Sequence, residues 1–330
     1  MTYASGTARA IERSLIEAGF TGNVARDLPL ARHTSYGIGG PAALFVEIPT
    51  VDDLKLFKEA LGRHEFPLLI LGAGTNILIS DDGFVGTVAR LTGEFTEMEI
   101  SEEGIRAGSA VPVTRVVREG ARIGLDAILR LVGIPGWIGG AIAMNAGTFG
   151  EYIDGILDSI HILTKDNETQ ALQPEECEFG YRTSRFLRSG EIILDCSISS
   201  EIKEPELVER EVQRRLERRK ATQPIDLPSC GCVFRNPPGE KSAARLIQEA
   251  GLKGVRRGAA VISDTHSNFV VNEGGAKAID VLELMALARK KVRELFGITL
   301  MPEVRAYGFP AALEVMLDAI DGSMESEKNK

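Results

Sequence analysis

The sequence predicts an α/β or α+β protein of two domains. Short apolar or alternating runs such as Leu68–Leu71, Ile156–Leu163 and Ile192–Ile198 have the pattern of strands, and amphipathic helical patterns are interspersed among them. The 330 residues are more than one domain of ~100–200 residues accounts for. Composition shifts at Glu201–Pro205, where a highly charged helix begins, and this sets a domain boundary near residue 203.

The composition, 44% hydrophobic and 26% charged, is that of an ordinary globular protein. A net charge of −9 disfavours nucleic acid or an anionic membrane as partner. No run of about 18 apolar residues is present, so no membrane span is expected. The start, MTYASGTARAIERSLIEAG, carries charges throughout and lacks the apolar centre of a signal peptide. The four cysteines (Cys177, Cys196, Cys230, Cys232) form no CxxC pair and are too few for a disulfide scaffold. With four scattered histidines (His33, His64, His161, His266), no metal site is expected. These features fit a reducing cytoplasm.

A first helix spans 7–19, with Ile11, Leu15 and Ile16 on one side. The polar segment ending at Thr34–Ala42 leads to a strand at Leu44–Ile48. Thr50 then caps a helix with Val51, Leu54, Phe57 and Leu61 at helical spacing. Leu68–Leu71 is a continuous apolar run, read as a buried strand. It enters Gly72-Ala73-Gly74-Thr75-Asn76 and is followed by Ile77–Ile79. A strand, a Gly-rich turn and small polar residues in that order suit a phosphate loop, because glycines let amide N–H groups face an anion. A dinucleotide-binding fingerprint would place its third glycine at position 77, which is Ile77, and a long helix after it. A plain strand-turn-strand hairpin is the structural alternative.

Strands are expected at Val85–Leu91, Phe95–Ile100 and Ile105–Ala107, and a helix at Val113–Ile123. The stretch Gly133–Gly150, GIPGWIGGAIAMNAGTFG, holds six glycines in eighteen residues. Glycine at that density weakens helices and strands, so something must need close backbone approach. After the charged helix at 205–220 come a helix at Ser242–Glu249 ended by Gly251, strands at Val261–Ser263 and Asn268–Val271, and a long helix at Ala276–Phe296. In that long helix Val281, Leu284, Met285, Ala288, Val292 and Leu295 would turn inward. Gly297 stops it, and Ile298–Met301 is read as a last strand. The last ten residues are polar and expected to be disordered.

Three polar loops carry candidate chemistry. Arg182 and Arg185 share one turn, and an arginine fork suits carboxylate or phosphate; pairing with Glu176 or Glu178 is the structural alternative. Cys232 stands at a loop-to-strand junction, and in an extended chain it shares a face with Cys230. Glu303 follows Pro302. The residues alone point to a nucleotide-like ligand and leave the reaction open.

Eight segments taken together go further. TSYGIGGPA (34–42), LGAGTNILI (71–79), GIPGWIGGAIAMNAGTFG (133–150), ECEFGYRTSRF (176–186), PSCGCVFRNPPG (228–239), SAARLIQEAGLKG (242–254), HSNFVVN (266–272) and MPEVRAYG (301–308) occur in this order. In this the chain resembles the UDP-N-acetylenolpyruvoylglucosamine reductases (UDP-N-acetylmuramate dehydrogenases). The short interval from GYRTSRF to PSCGCVF resembles the shorter form of the family, which lacks an extra substrate-covering loop. The resemblance implies an α+β fold: an FAD-binding domain of the vanillyl-alcohol-oxidase (PCMH) type in two subdomains, then a smaller C-terminal substrate domain. The corresponding boundaries are 1–30 for a helix and lead-in, 31–203 for the FAD domain, 204–310 for the substrate domain and 311–330 for a partly disordered tail.

By the same resemblance Gly72, Gly74, Thr75 and Asn76 would cradle the FAD pyrophosphate. Gly136, Gly140, Asn145 and Gly147 would line the isoalloxazine and ribityl chain. The implied reaction passes a hydride from NADPH through FAD to UDP-N-acetylglucosamine enolpyruvate, giving UDP-N-acetylmuramate for the bacterial cell wall and so for cell shape and division. Arg182 would stabilise charge on the substrate carboxylate, Glu303 would assist, and the proton donor would be Cys232, where the family usually has serine. A thiol of pKa ~8.5 is a far stronger acid than a serine hydroxyl. Tyr181, Arg185 and Asn236 are expected to contact substrate. Trp137 stands where the family commonly has serine; any cofactor contact of that serine hydroxyl would be missing here, and the structural alternative is that Trp137 points into the core. Two rivals are a covalent-FAD oxidase of the same fold and a non-catalytic nucleotide-sugar-binding module; the former would need a His-bearing attachment motif, which the matching loops lack.

Overall fold

The computed structural model describes residues 2–101, 104–148 and 150–309. The expected disordered tail lies outside the described residues. The chain divides into two units, each assembled from separated segments. The first takes residues up to Arg26, Leu44–Ala73 and Gly86–Ala221; the second takes Asp27–Ala43, Gly74–Val85 and residues from Thr222 onward.

The first unit is built on a five-stranded antiparallel sheet. Its strands run in the order Thr169–Leu172, Leu157–Leu163, Ile192–Ile198, Ile105–Gly108 and Met98–Ile100. Alternating residues of these strands, among them Ile160, Ile162, Cys196 and Ile198, enter one hydrophobic core. The helix Val113–Arg122 adds Val113, Val116, Val117 and Ala121. The charged helix Pro205–Thr222 joins the same core through Val208 and Val212, and Arg215 Nη1 donates to the Leu129 carbonyl at 2.7 Å. Hydrogen bonds from Arg214 and Arg215 hold the Glu211 carboxyl down at about 2. The mixed charges thus form a solvated, ion-paired face.

In the N-terminal helix Thr2–Glu17, Ile11 and Leu15 are buried, but Ile16 is 69% exposed. It departs from the expected inward face because residue 16 lies past the edge of a narrow apolar stripe. The helix Val51–Gly62 starts as expected, the Thr50 hydroxyl accepting the Asp53 N–H at 3.0 Å. Phe95 lies in a 3-10 turn, Gly93–Thr96, so the expected strand there begins only at Met98.

The apolar run at 68–71 is an edge strand, not a buried one. In the sheet ordered Asn23–Pro29, Pro41–Ile48, Phe84–Leu91, Leu68–Ile70, it is the last strand. One of its faces is therefore partly open: Leu68 and Ile70 are 38% exposed while Leu69 is buried. Ile77–Ile79 pairs instead with Arg305–Tyr307, in parallel. The two runs flanking Gly72–Asn76 thus belong to different sheets, which rules out the hairpin reading.

The second unit has a three-stranded antiparallel sheet, Arg256–Arg257, Ala260–Ile262 and Val270–Asn272. The helix Ala278–Phe296 buries Val281, Leu284, Met285, Ala288 and Val292 in the core with Tyr36, Leu78 and Phe234. Leu295 is an exception at 59% exposed. It is the penultimate residue of the helix, just before Gly297 (φ 70°) turns the chain away. The expected strand at Ile298–Met301 does not form. Met301 accepts the Arg235 N–H at 2.8 Å, but Pro302 has no N–H to extend a ladder. The last strand comes later, at Arg305–Tyr307.

Among the described residues no helix is long and apolar enough to cross a membrane.

Candidate active site

The glycines of the two rich stretches separate into two physical kinds. Gly74 has φ 66°, and a Cβ there would stand 2.2 Å from the His33 carbonyl oxygen. Its own carbonyl accepts the Ser35 N–H at 3.0 Å and the Ser35 hydroxyl at 3.1 Å. Gly147 would place a Cβ 2.1 Å from the Glu151 carbonyl oxygen, and Gly136 has φ 115°. The fold itself requires glycine at these positions. Gly72 and Gly140 differ. Neither has positive φ, nothing lies within 4 Å of a Cβ at Gly140, and a Cβ at Gly72 would make ordinary contact with Trp137 at 3.8 and 3.9 Å.

In the first unit, Trp137 precedes the short helix Ile138–Ala143 with extended backbone. Its indole is half-buried rather than packed in the core. The Arg90 guanidinium lies 4.5 Å from its ring centroid. Arg90 was not legible as a site residue, because no spacing rule links positions 90 and 137. Asn145 is buried with φ 42°. Its amide nitrogen donates to Asp154 Oδ2 and to the Gly180 carbonyl, both at 3.1 Å, and its oxygen accepts the Asp154 N–H at 3.2 Å. The Asn145 amide therefore braces one loop against another.

That bracing reaches the turn carrying Arg182. Gly180 and Thr183 exchange backbone hydrogen bonds at 3.0 and 3.3 Å, and the buried Ser184 hydroxyl donates to the Ala143 carbonyl at 2.7 Å. Arg182 itself is left-handed at φ 57°. A non-glycine residue costs of order 1–3 kcal/mol there, and such strain gathers at functional sites. Its Nη2 donates to the Gly147 carbonyl at 3.2 Å, and its guanidinium lies 5.6 Å from the Tyr181 ring centroid. Tyr181 is 42% exposed.

Arg185 has a different setting. It forks onto Glu191 at 2.9 and 2.6 Å, and Nη1 donates to the Glu176 main-chain carbonyl at 3.0 Å. The expected alternative partners, the Glu176 and Glu178 carboxylates, are not the ones it uses. Glu178 pairs with Arg188 at 3.2 Å.

In the second unit Cys232 and Glu303 lie on adjacent backbone segments. Cys232 forms an isolated bridge with Phe269, and the next residue, Val233, accepts the Glu303 N–H at 2.9 Å. Both side chains are partly exposed. Asn76 ties in here as well, its Nδ2 donating to the Glu303 carbonyl at 3.2 Å while its own carbonyl accepts the Arg305 N–H at 3.1 Å. The Gly-rich loop thus fixes the main chain at Glu303. Thr75 beside it is half-buried. Asn236 is exposed, and its Oδ1 accepts the Ala243 N–H at 3.0 Å.

Cys230 does not share a face with Cys232. Gly231 between them has φ 80°, so the alternation of an extended chain does not hold. Cys230 is 4% exposed beside Tyr36, and burial pushes its thiol up to about 12. Among the described residues no cluster of three or more His, Cys, Asp or Glu side chains could hold a metal ion.

Two family models match the chain. Residues 223–307 match the C-terminal domain of UDP-N-acetylenolpyruvoylglucosamine reductase, and residues 42–172 match an FAD-binding domain. A UDP-N-acetylenolpyruvoylglucosamine reductase from Bacillus subtilis is 37% identical over 87% of this chain and 95% of its own length. One from Pelobacter propionicus is 41% identical over 86% of this chain and 95% of its own. The crystal structure of the Thermus caldophilus reductase superposes with a TM-score of 0.75 at 37% identity, covering 87% of this chain and all of that one.

Proposed function

Because the chain belongs to the UDP-N-acetylenolpyruvoylglucosamine reductase family, we infer that it reduces UDP-N-acetylglucosamine enolpyruvate to UDP-N-acetylmuramate with NADPH as hydride donor. It is an FAD-dependent oxidoreductase of peptidoglycan precursor synthesis. FAD, when bound, supplies the hydride that reaches the enolpyruvyl methylene carbon. The residues fit such a cofactor. Gly72 and Gly140 leave space that the fold does not itself require, as close approach of a large ligand needs. Gly72, Gly74, Thr75 and Asn76 would hold the pyrophosphate, and Gly136, Gly140, Asn145 and Gly147 the flavin side.

Three side chains carry the chemistry in this reading. Arg182 stabilises negative charge developing on the substrate carboxylate, and its strained backbone supports that role. The Cys232 thiol gives a proton to the carbon adjacent to the reduced one and is reprotonated from water. Glu303 assists in the reduction. Tyr181 and Asn236, both exposed, contact the nucleotide sugar; Arg185, held by Glu191, shapes the turn as well as facing substrate. In domain terms, 31–203 binds FAD and 204–310 binds substrate. The reaction takes place in the cytoplasm and engages neither metal nor nucleic acid.

The observation that supports the assignment of roles is the hydrogen bond from the Glu303 N–H to the Val233 carbonyl, which joins the backbone segments bearing Cys232 and Glu303. The test is spectroscopic. The purified protein should be yellow, bleach with NADPH and recolour on adding the enolpyruvyl substrate. A colourless protein, or colour unmoved by NADPH, overturns the reading.

A further inference from the structure

Within the two Gly-rich stretches, two glycines of the first unit lack a reason within the protein. Gly140 sits inside the helix Ile138–Ala143, where glycine costs roughly 0.5–1 kcal/mol relative to alanine. Nothing lies within 4 Å of the Cβ it lacks. Gly72 has neither a positive φ nor a clash to avoid, and the neighbours of its missing Cβ are atoms of Trp137, at ordinary contact distance. Trp137 lies against the first of these glycines and caps the start of the short helix that carries the second, three residues on.

Trp137 is the only tryptophan in the sequence. It is held from three directions. Its backbone pairs with Pro112 in an isolated bridge. The neighbouring Ile138 N–H donates to the Val111 carbonyl at 3.0 Å, and the Trp137 carbonyl accepts the Ala141 N–H at 2.9 Å. The Arg90 guanidinium covers one face of the ring at 4.5 Å. A large, rigid, half-exposed aromatic ring fixed in this way, against Gly72 and at the start of the helix that carries Gly140, has the features of a ligand wall.

We propose that Trp137, braced by Arg90, is a wall of the FAD cradle and contacts the flavin ring of the bound cofactor. This rests on the FAD-dependent reading above and adds a positioning residue to it. The ring supplies apolar area and a stacking partner. Gly72 and Gly140 are small so that the cofactor can lie against this wall.

The experiment is an FAD titration of protein stripped of cofactor, read by the single indole and by the flavin. In the wild type, FAD should quench indole emission by at least about 90%, and bound flavin emission should stay low through contact with the indole. Trp137→Ala should weaken FAD binding about tenfold or more and raise the emission of bound flavin several-fold. Trp137→Phe, which keeps an aromatic wall, should weaken binding less than about threefold. Arg90→Met should red-shift the indole emission and weaken binding by a smaller factor than Trp137→Ala. Gly140→Ala should fold at least as stably as the wild type and still lose FAD affinity. Should Trp137→Ala not fold, the wild-type quench and the Gly140→Ala titration decide. Wild-type protein that binds no FAD overturns the functional reading, and the wall with it. Wild-type protein that binds FAD with its indole emission largely retained, or with unchanged affinity in Trp137→Ala or Gly140→Ala, overturns the wall alone.

Discussion

Cys230 and Cys232 are two residues apart and stand in opposite surroundings. Cys230 is 4% exposed beside Tyr36, and burial raises its thiol to about 12. Cys232 is partly exposed on a segment bridged to Phe269, one residue before the hydrogen bond from Glu303. The glycine between them, at φ 80°, turns one sulfur inward and leaves the other accessible. In the proposed mechanism the same side chain therefore serves as a small hydrophobe at one position and as the proton donor at the other. Residue type alone does not predict this difference in burial; one backbone angle accompanies it.

The comparison can be broken in several ways. The largest effect is expected for Cys232→Ala, which should slow substrate reduction by ~10²–10⁴ as a lost general acid. Flavin reduction by NADPH should be unchanged in single-turnover absorbance traces, and Cys232→Ser should keep substantial activity. Near-normal turnover of the alanine variant would remove Cys232 from the mechanism. Next, a thiol-alkylating reagent should label Cys232 at least about a hundredfold faster than Cys177, Cys196 and Cys230. Those three are buried, and reaching them needs an opening free energy of several kcal/mol. Peptide mapping by mass spectrometry reads this, and equal labelling of Cys230 would erase the distinction.

A third effect concerns pH. Burial raises Cys177 to about 11 and Cys230 to about 12, from an ordinary thiol value of 9.0. Above pH 9 the unfolded chain has released protons that the folded chain still holds, so stability must fall as pH rises. It is fully present below pH 9, and the Cys230 share is lost up to about pH 12. The slope approaches ~1.4 kcal/mol per pH unit for each such thiol. Denaturant melts from pH 8 upward check this, with Cys230→Ala expected to flatten the curve. The smallest effect is that of Cys230→Ala at neutral pH, a loss of roughly 1 kcal/mol of stability with substrate reduction unaltered. A large kinetic effect there would give Cys230 a role that its burial argues against.

Much of this was readable in the sequence where a local rule acts. The Thr50 cap, the Gly297 stop and the helix 278–296 all follow from residues within a turn of one another. The segments bearing Arg182, Cys232 and Glu303 were also legible, because each is a compact run of distinctive residues. What failed depended on partners distant in the chain. Leu68–Leu71 reads as buried until its place at a sheet edge is known. The last strand moves from Ile298–Met301 to Arg305–Tyr307 because its partner is Ile77–Ile79. Arg185 is an exception, since its partner Glu191 is six residues on, closer in the chain than Glu178 or Glu176. The φ 57° at Arg182 has no local signature either, since arginine rarely adopts it.

The parallel pairing of Ile77–Ile79 with Arg305–Tyr307 also bears on how the molecule is made. Synthesis proceeds from the N-terminus, so Leu78 leaves the ribosome long before Ala306, its partner, exists. Tyr36 waits likewise for the Val270 carbonyl, 234 residues ahead. The second unit therefore cannot complete its core until nearly all of the described chain has emerged. The first unit has its five-stranded sheet in hand once Ile198 is out. Contacts of such long range close slowly, because the loop entropy must be met before they stabilise anything. Until then the edge of Ile77–Ile79 is an unpaired apolar strand, so the nascent chain is most exposed to misassociation in the final third of its synthesis.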